Sequence, residues 1–261
     1  MQDVALEAVE RWSLTLGEPY TPGVGGYTAR VTLRDGTPAV LKILKPHREN
    51  EHEADALSFW DGDGAVRLLE RDESGYTFLI ERCEPGTHLT SLGAEAALDV
   101  LIGLLPRLWK PAGEPFHTLG SEAAWWASYL PKQDWSREPK LLAAALEAIE
   151  TLSPTQGEQV LVNQDLHSGN VLAAEREPWL VIDPKPLSGE REFAAAPIAR
   201  AVELGHSKRD VLYRFDRITA ELGLDRERAR GWTIAQTVAW TEDSNFNRTH
   251  VETTRWLLES S

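Results

Sequence analysis

The chain has 261 residues, 42% of them hydrophobic, and a formal net charge of −14 at pH 7. This acidity argues against a nucleic-acid partner, and no apolar run of about 18 residues is present that could span a membrane. A single cysteine, Cys83, excludes an intrachain disulfide, and the acidic N-terminus lacks the basic start of a secretory signal. We therefore expect a cytoplasmic protein with no obligate protein partner. The acidity either keeps the chain soluble or attracts a cationic small molecule, and net charge leaves both open.

Residues 1–83 predict a small lobe rich in strands. A helix up to about Ser13 is followed by two strands, YTARVTLR and PAVLKIL, with a DGT turn between them. HRENEHEADALSFW has helical spacing, with Ala54, Leu57 and either Phe59 or Trp60 facing inward. AVRLLER and YTFLIER then predict a second pair of strands around a DESG turn.

Residues 84–261 predict a larger, mostly helical lobe after a connector near Glu84–Gly86. EAALDVLIGLLPRLW, SEAAWWASYL and KLLAAALEAIETL have helical patterns, and Pro106 predicts a kink or an end in the first. Short strands follow around Val160–Val162 and Leu180–Ile182, before a helical remainder. The order predicts an α+β fold of two lobes, and ligands favour the cleft between such lobes.

A polar loop, QDLHSGN, lies between two of these apolar runs. Asp165 and Asn170 stand five positions apart in it, and Gly169 permits a tight backbone just before Asn170. Phosphoryl transfer needs a carboxylate that orients the attacking hydroxyl and an amide that binds magnesium. By itself the spacing is common and favours an Asx turn whose side chains bond their own backbone.

A second carboxylate follows at the end of the strand WLVIDP. Asp183 lies where Pro184 stops the strand, so its side chain opens into a loop. Magnesium prefers one or two carboxylates together with phosphate oxygens and water. Asp183 alone could simply begin a turn, but its combination with Asp165 and Asn170 indicates phosphoryl transfer.

Lys42 lies inside the apolar strand PAVLKIL, where an ammonium group needs an anionic partner. Phosphate oxygens and a helix carboxylate would both serve, with Glu53 the first candidate and Glu51 the second. The glycines of TPGVGGYT, including Gly25 and Gly26, precede this strand, and their N–H groups could approach phosphates or form an ordinary turn. An edge-strand lysine that reaches solvent is the alternative for Lys42.

The order of these parts resembles the kinase-like fold shared by eukaryotic-type protein kinases and aminoglycoside phosphotransferases. DLHSGNVL resembles the catalytic segment of the latter. VIDPKPLSGERE, WDGDGAVRLLE and LIERCEPGTHL resemble segments of the aminoglycoside and hydroxyurea resistance kinases, which include streptomycin 6-phosphotransferases. The resemblance runs from about Tyr20 to Trp240, and it implies a bilobal protein-kinase-like fold with a β-rich N-lobe and an α-helical C-lobe.

The resemblance also implies roles for the polar residues. It makes Asp165 the catalytic base, and Asn170 and Asp183 the ligands of Mg²⁺. Lys42 would contact the α- and β-phosphates of ATP while Glu53 holds it in place.

It further implies that backbone groups near Glu81 and Cys83 hold the adenine. This fits FLIER, an apolar strand that leads into the connector. Gly25 and Gly26 complete the expected nucleotide-binding set.

Two departures from the family pattern and one contrast with protein kinases stand out. Asn163 and Gln164 occupy the positions where relatives often carry His-Gly, and EREFAAAPIAR has alanines where many relatives have a bracing aspartate. Only a short proline-rich loop follows Asp183, in place of the long activation segment of a protein kinase, so we expect no protein substrate.

Four residues are candidates for binding the acceptor. Trp240, Glu242 and Asp243 could hold a cationic sugar by stacking and charge-assisted hydrogen bonds, although an acidic helix end explains them equally well. Glu190 is a similar candidate because it follows the metal loop closely. The other tryptophans at helical spacing predict core packing.

We therefore predict an ATP- and Mg²⁺-dependent phosphotransferase that acts on a hydroxyl of a small cationic molecule. The resemblance favours an aminoglycoside of the streptomycin type and antibiotic inactivation. A kinase of another sugar or metabolite, or a non-catalytic nucleotide-binding module, are the alternatives. The presence of Lys42, Asp165, Asn170 and Asp183 together speaks against the non-catalytic module.

Overall fold

The computed structural model describes residues 2–20, 26–241 and 248–260, and the chain divides into two compact units. The first unit comprises Met1–His88 and Val171–Pro186, and the second comprises Leu89–Asn170 and Leu187–Ser261. Within the described residues, no helix is long and apolar enough to cross a bilayer.

The first unit is built on a five-stranded antiparallel sheet in the order β1-β2-β3-β5-β4. Its strands are β1 (Thr15–Pro19), β2 (Gly26–Thr32), β3 (Pro38–Leu44), β4 (Leu68–Arg71) and β5 (Thr77–Glu81). Helix α1 (Gln2–Arg11) precedes the sheet, and α2 (Glu53–Trp60) lies between β3 and β4 in the chain. Apolar residues of α1 pack with those of β2, β3 and β5 into one core.

Helix α2 is shorter than the predicted helical pattern. It begins at Glu53 after a series of turns, and it ends before Asp61, which adopts a left-handed conformation with φ 49°. Ala54, Leu57 and Trp60 are buried, whereas Phe59 is exposed. Trp60 is therefore the aromatic residue of α2 that faces the core.

A smaller sheet joins three further strands to the first unit. Strands β6 (Pro85–His88), β8 (Val171–Ala174) and β9 (Trp179–Val181) pair in the order β6-β8-β9. The sequence-based division placed residues 84–261 together, whereas these pairings associate Val171–Pro186 with the N-terminal part of the chain. The reason is backbone pairing between distant segments, which carries no local sequence signal.

The second unit is mainly helical. Its helices are α3 (Ala94–Leu108), α4 (Leu119–Tyr129), α5 (Pro139–Leu152), α6 (Ala195–Ala199), α7 (Lys208–Glu221), α8 (Arg226–Ala239) and α9 (Arg248–Leu258). Helix α3 continues through Pro106 for two more residues, so this proline does not end the helix. Trp126 and Trp232 are fully buried and pack on Phe193, with ring centroids 6.3 and 6.1 Å away. These contacts agree with the predicted core role for Trp126 and Trp232, whereas Trp125, which has the same helical spacing, is 40% exposed.

A short two-stranded sheet lies within the helical part of the chain. It pairs β7 (Val160–Asn163) with β10 (Pro186–Gly189). All four residues of β7 are buried, and the polar loop predicted from QDLHSGN begins where this strand ends. The combination of an antiparallel sheet region and a helical region confirms the predicted α+β class.

Candidate active site

Lys42 is at the centre of a charged cluster in the first unit. The residue lies on β3 and is only 7% exposed. Its Nζ contacts the Glu53 carboxylate at the start of α2 and lies 2.5 Å from Asp183 Oδ1. The structure therefore pairs Lys42 with Glu53, the first of the two candidates from the sequence, and brings Asp183 to the same ammonium group.

Attraction to two carboxylates keeps Lys42 charged in this cluster. Burial disfavours the charged form of Lys42, but attraction to Glu53 and Asp183 outweighs it and raises the pKa of the ammonium group. Burial raises the pKa of Glu53 to about 7, while Lys42 acts in the opposite direction. Lys42 therefore stays cationic at neutral pH and can meet an anion.

Asp183 combines an unusual backbone conformation with an accessible carboxylate. Its φ is 54°, a left-handed value that aspartate tolerates better than most residues. Its side chain is 47% exposed although Oδ1 contacts Lys42. Strained backbone of this kind concentrates at functional sites, and the exposed carboxylate is suited to bind a cation.

The backbone around Asp183 is held on both sides. Val181 exchanges backbone hydrogen bonds with the segment Gly64–Val66, at 2.9 and 3.0 Å. After Asp183, Lys185 Nζ lies 3.5 Å from Glu49 Oε2. These contacts fix the position of Asp183 within the first unit.

The segment from Glu81 to Cys83 begins at the last residue of β5. The Glu81 carboxylate accepts hydrogen bonds from Arg176 Nε and Nη2 at 2.9 and 3.0 Å, and Arg176 also donates to Gly62 O and Ala65 O. Burial raises the pKa of the Cys83 thiol to about 12, so the thiol is not a nucleophile at neutral pH. Any contribution of this segment to nucleotide binding would therefore come from its backbone.

Only part of the predicted glycine loop lies within the described residues. Gly25 lies outside them, and Gly26 is the first residue of β2. A Cβ atom on Gly26 would lie 2.2 Å from Ile43 O on the neighbouring strand. Close packing of β2 against β3 therefore requires glycine at this position.

Asp165 and Asn170 lie in the second unit, on the loop after β7. Asp165 N donates to Asn163 Oδ1 at 3.0 Å, and Asn170 Nδ2 donates to Asp165 O at 3.0 Å. Both ends of the loop are thus tied to its own backbone, and the Asp165 side chain remains 19% exposed. Asn163 supports the loop without an ionisable group, as expected for the position where relatives often have histidine.

His167 and Ser168 of this loop are bound by one carboxylate, that of Glu203. Glu203 Oε1 accepts from Ser168 N and Oγ at 3.2 and 2.9 Å and lies 3.1 Å from His167 Nδ1. Burial opposes ionisation of Glu203, but the hydrogen bonds, above all that of His167, lower its pKa to about 2. His167 therefore supports the loop through its contact with Glu203.

Arg200 is a residue near Asp165 that the sequence did not identify. It follows α6, is 8% exposed, and its Nη2 lies 3.5 Å from Asp165 Oδ1. Arg200 and Asp165 are 35 positions apart, and Glu203 is equally remote from Ser168. No local pattern could have paired residues so distant in the chain.

The candidate acceptor residues have different environments. Glu190 is 2% exposed, and its carboxylate accepts from Arg228 Nη2 at 2.8 Å, Trp232 Nε1 at 2.5 Å and Gly157 N at 3.0 Å. These contacts use the carboxylate inside the second unit, so we assign Glu190 a structural role instead of substrate contact.

Trp240 and its acidic neighbours complete the set of candidates. The guanidinium carbon of Arg200 lies 4.0 Å from the centre of the Trp240 ring system, so one face of the indole already carries a cation of this chain. Glu242 and Asp243 lie outside the described residues.

The residues predicted to bind magnesium have suitable donor atoms. Asp183 offers a half-exposed carboxylate, and the Asn170 amide donates to Asp165 O through Nδ2, a bond that does not use its Oδ1. A carboxylate and an amide oxygen are the hard ligands that Mg²⁺ prefers. Each of the two residues therefore offers a ligand atom of a type that suits Mg²⁺.

Comparisons with known proteins extend these observations. The profile of the family described as "Aminoglycoside/hydroxyurea antibiotic resistance kinase" matches residues 11–244. A hydroxyurea phosphotransferase of Kitasatospora aureofaciens is 42% identical over 240 residues, which cover 89% of this chain and 69% of that protein. A streptomycin 6-kinase of Streptomyces glaucescens is 38% identical over 248 residues, covering 90% of this chain and 80% of that protein.

A solved structure of similar fold is that of the choline kinase LicA from Streptococcus pneumoniae. Its TM-score is 0.68 at 13% identity, and the match covers 99% of this chain and 98% of that one. At this identity the likeness concerns the fold alone, and it confirms the predicted kinase-like architecture.

Proposed function

The chain belongs to the aminoglycoside/hydroxyurea antibiotic resistance kinase family and is a phosphotransferase that acts on hydroxyl groups, and on that premise we propose that it transfers the γ-phosphoryl group of ATP, with Mg²⁺, to a small acceptor. The observation that carries this proposal is the contact of Lys42 with both Glu53 and Asp183. A buried ammonium held by one carboxylate beside an accessible second one is the arrangement that kinases use for phosphate and metal.

We assign the nucleotide to groups of the first unit. Lys42 binds α- and β-phosphate oxygens, and Glu53 keeps its side chain in place. Backbone groups near Glu81 and Cys83 contact the adenine, and Gly25 and Gly26 approach the phosphates. Asp183 and Asn170 would hold Mg²⁺, which neutralises phosphate charge when bound.

We assign the proton transfer to Asp165. Its carboxylate orients the acceptor hydroxyl and takes the proton as the new O–P bond forms and the bond to the β-phosphate oxygen breaks. Most of the rate enhancement comes from positioning and charge stabilisation, because a loose phosphoryl transition state needs little covalent help.

Streptomycin-type aminoglycosides are the proposed acceptors, with antibiotic inactivation as the outcome. The support is the 38% identity to a streptomycin 6-kinase, and the net charge of −14 is compatible with a cationic acceptor. Hydroxyurea, a neutral acceptor, is the second candidate, because the hydroxyurea phosphotransferase is 42% identical.

An acceptor panel tests this function. ADP release and phosphorylated product are measured with ATP, with and without Mg²⁺, against streptomycin, hydroxyurea and a neutral sugar. We expect Mg²⁺-dependent phosphorylation of streptomycin, its loss in Asp165→Asn and its retention in the exposed control Asp3→Asn. Turnover of hydroxyurea alone would select the second candidate. ATP binding without transfer to any acceptor would contradict the proposal.

A further inference from the structure

We propose that Arg200 is a positioning residue for the catalytic base Asp165, and that the indole of Trp240 holds Arg200 in place. The inference rests on the proposed function, because it deepens the role assigned to Asp165. In this inference Trp240 supports Arg200 and does not stack on the acceptor.

Arg200 reaches the base and the backbone beside it with one guanidinium nitrogen. Nη2 donates to Gln164 O at 3.1 Å and lies 3.5 Å from Asp165 Oδ1. Gln164 O also accepts from Gln236 Nε2 of α8 at 2.9 Å, and the Gln236 side chain is fully buried. The backbone just before Asp165 is therefore held by two side chains from other elements, and Arg200 also contacts the carboxylate.

Trp240 contacts the guanidinium group of Arg200, whose edge makes these hydrogen bonds. The guanidinium lies 4.0 Å from the centre of the ring system, within the range of a cation–π contact. A planar guanidinium stacked on an indole loses little freedom when it forms hydrogen bonds at its edge. The stack thus orients Nη2 towards Gln164 and Asp165.

His250 keeps this region from acquiring a second positive charge. Its Nδ1 lies 3.1 Å from Trp240 O, and burial, followed by the charge of Arg200, lowers its pKa to about 4. The imidazole is therefore neutral at pH 7 and donates to the Trp240 carbonyl. At neutral pH the charge of Arg200 is therefore not opposed by a charged imidazole at His250.

The consequence for the reaction follows from the contact with Oδ1. A carboxylate restrained at one oxygen rotates less about its Cβ–Cγ bond, so the acceptor hydroxyl meets it in a narrower range of orientations. Misplacement of a reacting group by about 1 Å costs about 100-fold in rate. Arg200 acts through Asp165 and does not itself touch the reacting atoms.

A double-mutant cycle tests this inference. The cycle compares four proteins: wild type, Arg200→Met, Asp165→Asn and the double variant. Single-turnover experiments measure phosphorylation of streptomycin and of hydroxyurea, and also the slow hydrolysis of ATP, in which water is the acceptor. We expect Arg200→Met to lower kcat about 10- to 100-fold with KM for ATP within about threefold of wild type, because Lys42 and Glu53 are untouched. In the Asp165→Asn background, Arg200→Met should cost nothing further.

Further variants separate positioning from folding. Arg200→Lys should recover part of the lost kcat, and Trp240→Leu should lower kcat in the same direction as Arg200→Met. Arg209→Met, at an exposed arginine of the same unit, should behave as wild type. If Arg200→Met does not fold, the same double-mutant cycle is measured with Arg200→Lys and with Trp240→Leu, each alone and combined with Asp165→Asn.

The outcomes distinguish this inference from the proposed function. An active wild type whose rate survives Arg200→Met overturns the inference alone, as does an equal loss in both Asp165 backgrounds. A wild type that transfers phosphate to neither acceptor nor water overturns the proposed function, and the inference falls with it.

Discussion

At the scale of the residue, Lys42 is under a strong electrostatic constraint. Its ammonium is buried, and a buried charge is tolerated only with well-placed partners. Glu53, 2% exposed, and Asp183 provide them. The three charges depend on one another, so removal of one partner affects stability as well as binding.

Lys42→Met should separate these two effects. The change leaves Glu53 buried without its cation, which costs about 3–5 kcal/mol of unfolding free energy, and it removes the group assigned to the phosphates, so turnover should fall about 100-fold or more. Urea unfolding and initial-rate measurements check the two parts. The double variant Lys42→Met/Glu53→Gln should regain most of the stability and none of the activity. A stable single variant would contradict the buried ion pair.

At the scale of elements, the connection after β10 is held by the Glu190 cluster. The strand ends at Gly189, and Glu190 joins it to α8 through Arg228 and Trp232, and to the loop after α5 through Gly157 N. One carboxylate thus fixes three parts of the second unit. The sequence showed only an acidic residue close to the metal loop, which suggested substrate contact.

Glu190→Gln distinguishes a structural role from substrate binding. Loss of the charge breaks the bidentate pair with Arg228 and should lower the unfolding free energy by about 2–4 kcal/mol, while KM for the acceptor stays unchanged. The control Glu192→Gln, two residues on, should stay within about 0.5 kcal/mol of wild type. An increased acceptor KM with wild-type stability would restore the substrate assignment.

The Glu203 carboxylate gives a second prediction at the scale of elements. Because its pKa is lowered to about 2 from an ordinary 4.5, its stabilising effect is complete above pH 4.5 and is lost as pH falls towards 2. Glu203→Gln should therefore unfold more easily than wild type at pH 7 and lose less stability on acidification to pH 3. Chemical denaturation at both pH values measures the difference. Equal losses in both proteins would show that the carboxylate does not brace the loop.

These elements also show how far the sequence could predict the fold and the site. Local patterns sufficed for the α+β class, and the partner of Lys42 could be chosen because Glu53 begins the next helix, 11 positions away. The assignment of Val171–Pro186 to the first unit depends on pairing of β8 with β6, whose partners Leu172 and His88 are far apart in the chain. Arg200 and Glu203 reach the loop after β7 only through tertiary packing, so no spacing rule could reveal them.

At the scale of the whole molecule, titrating groups with opposite effects shape the dependence of stability on pH. Glu53, with a pKa raised to about 7, binds a proton more readily in the folded state, so its contribution to stability grows as pH falls from 7 to 4.5. His250 acts in the opposite direction, because the folded protein holds it neutral. The two contributions therefore partly cancel in the dependence of wild-type unfolding free energy on pH. A comparison of wild type with a variant that lacks one of the two groups isolates its contribution.

His250→Gln isolates the histidine. Its pKa is lowered to about 4 from 6.5, so between these pH values the unfolded chain binds more protons than the folded protein. The free energy of unfolding therefore decreases as the pH is lowered, by about 2 kcal/mol at pH 5. A glutamine amide can still donate to Trp240 O but does not titrate. Urea unfolding at pH 7.5 and pH 5 should therefore show a loss smaller by about 2 kcal/mol in His250→Gln than in wild type. The Glu53 contribution cancels in this comparison, and the exposed control His47→Gln should follow wild type. Parallel losses in all three proteins would mean that His250 is protonated in the folded state at pH 5.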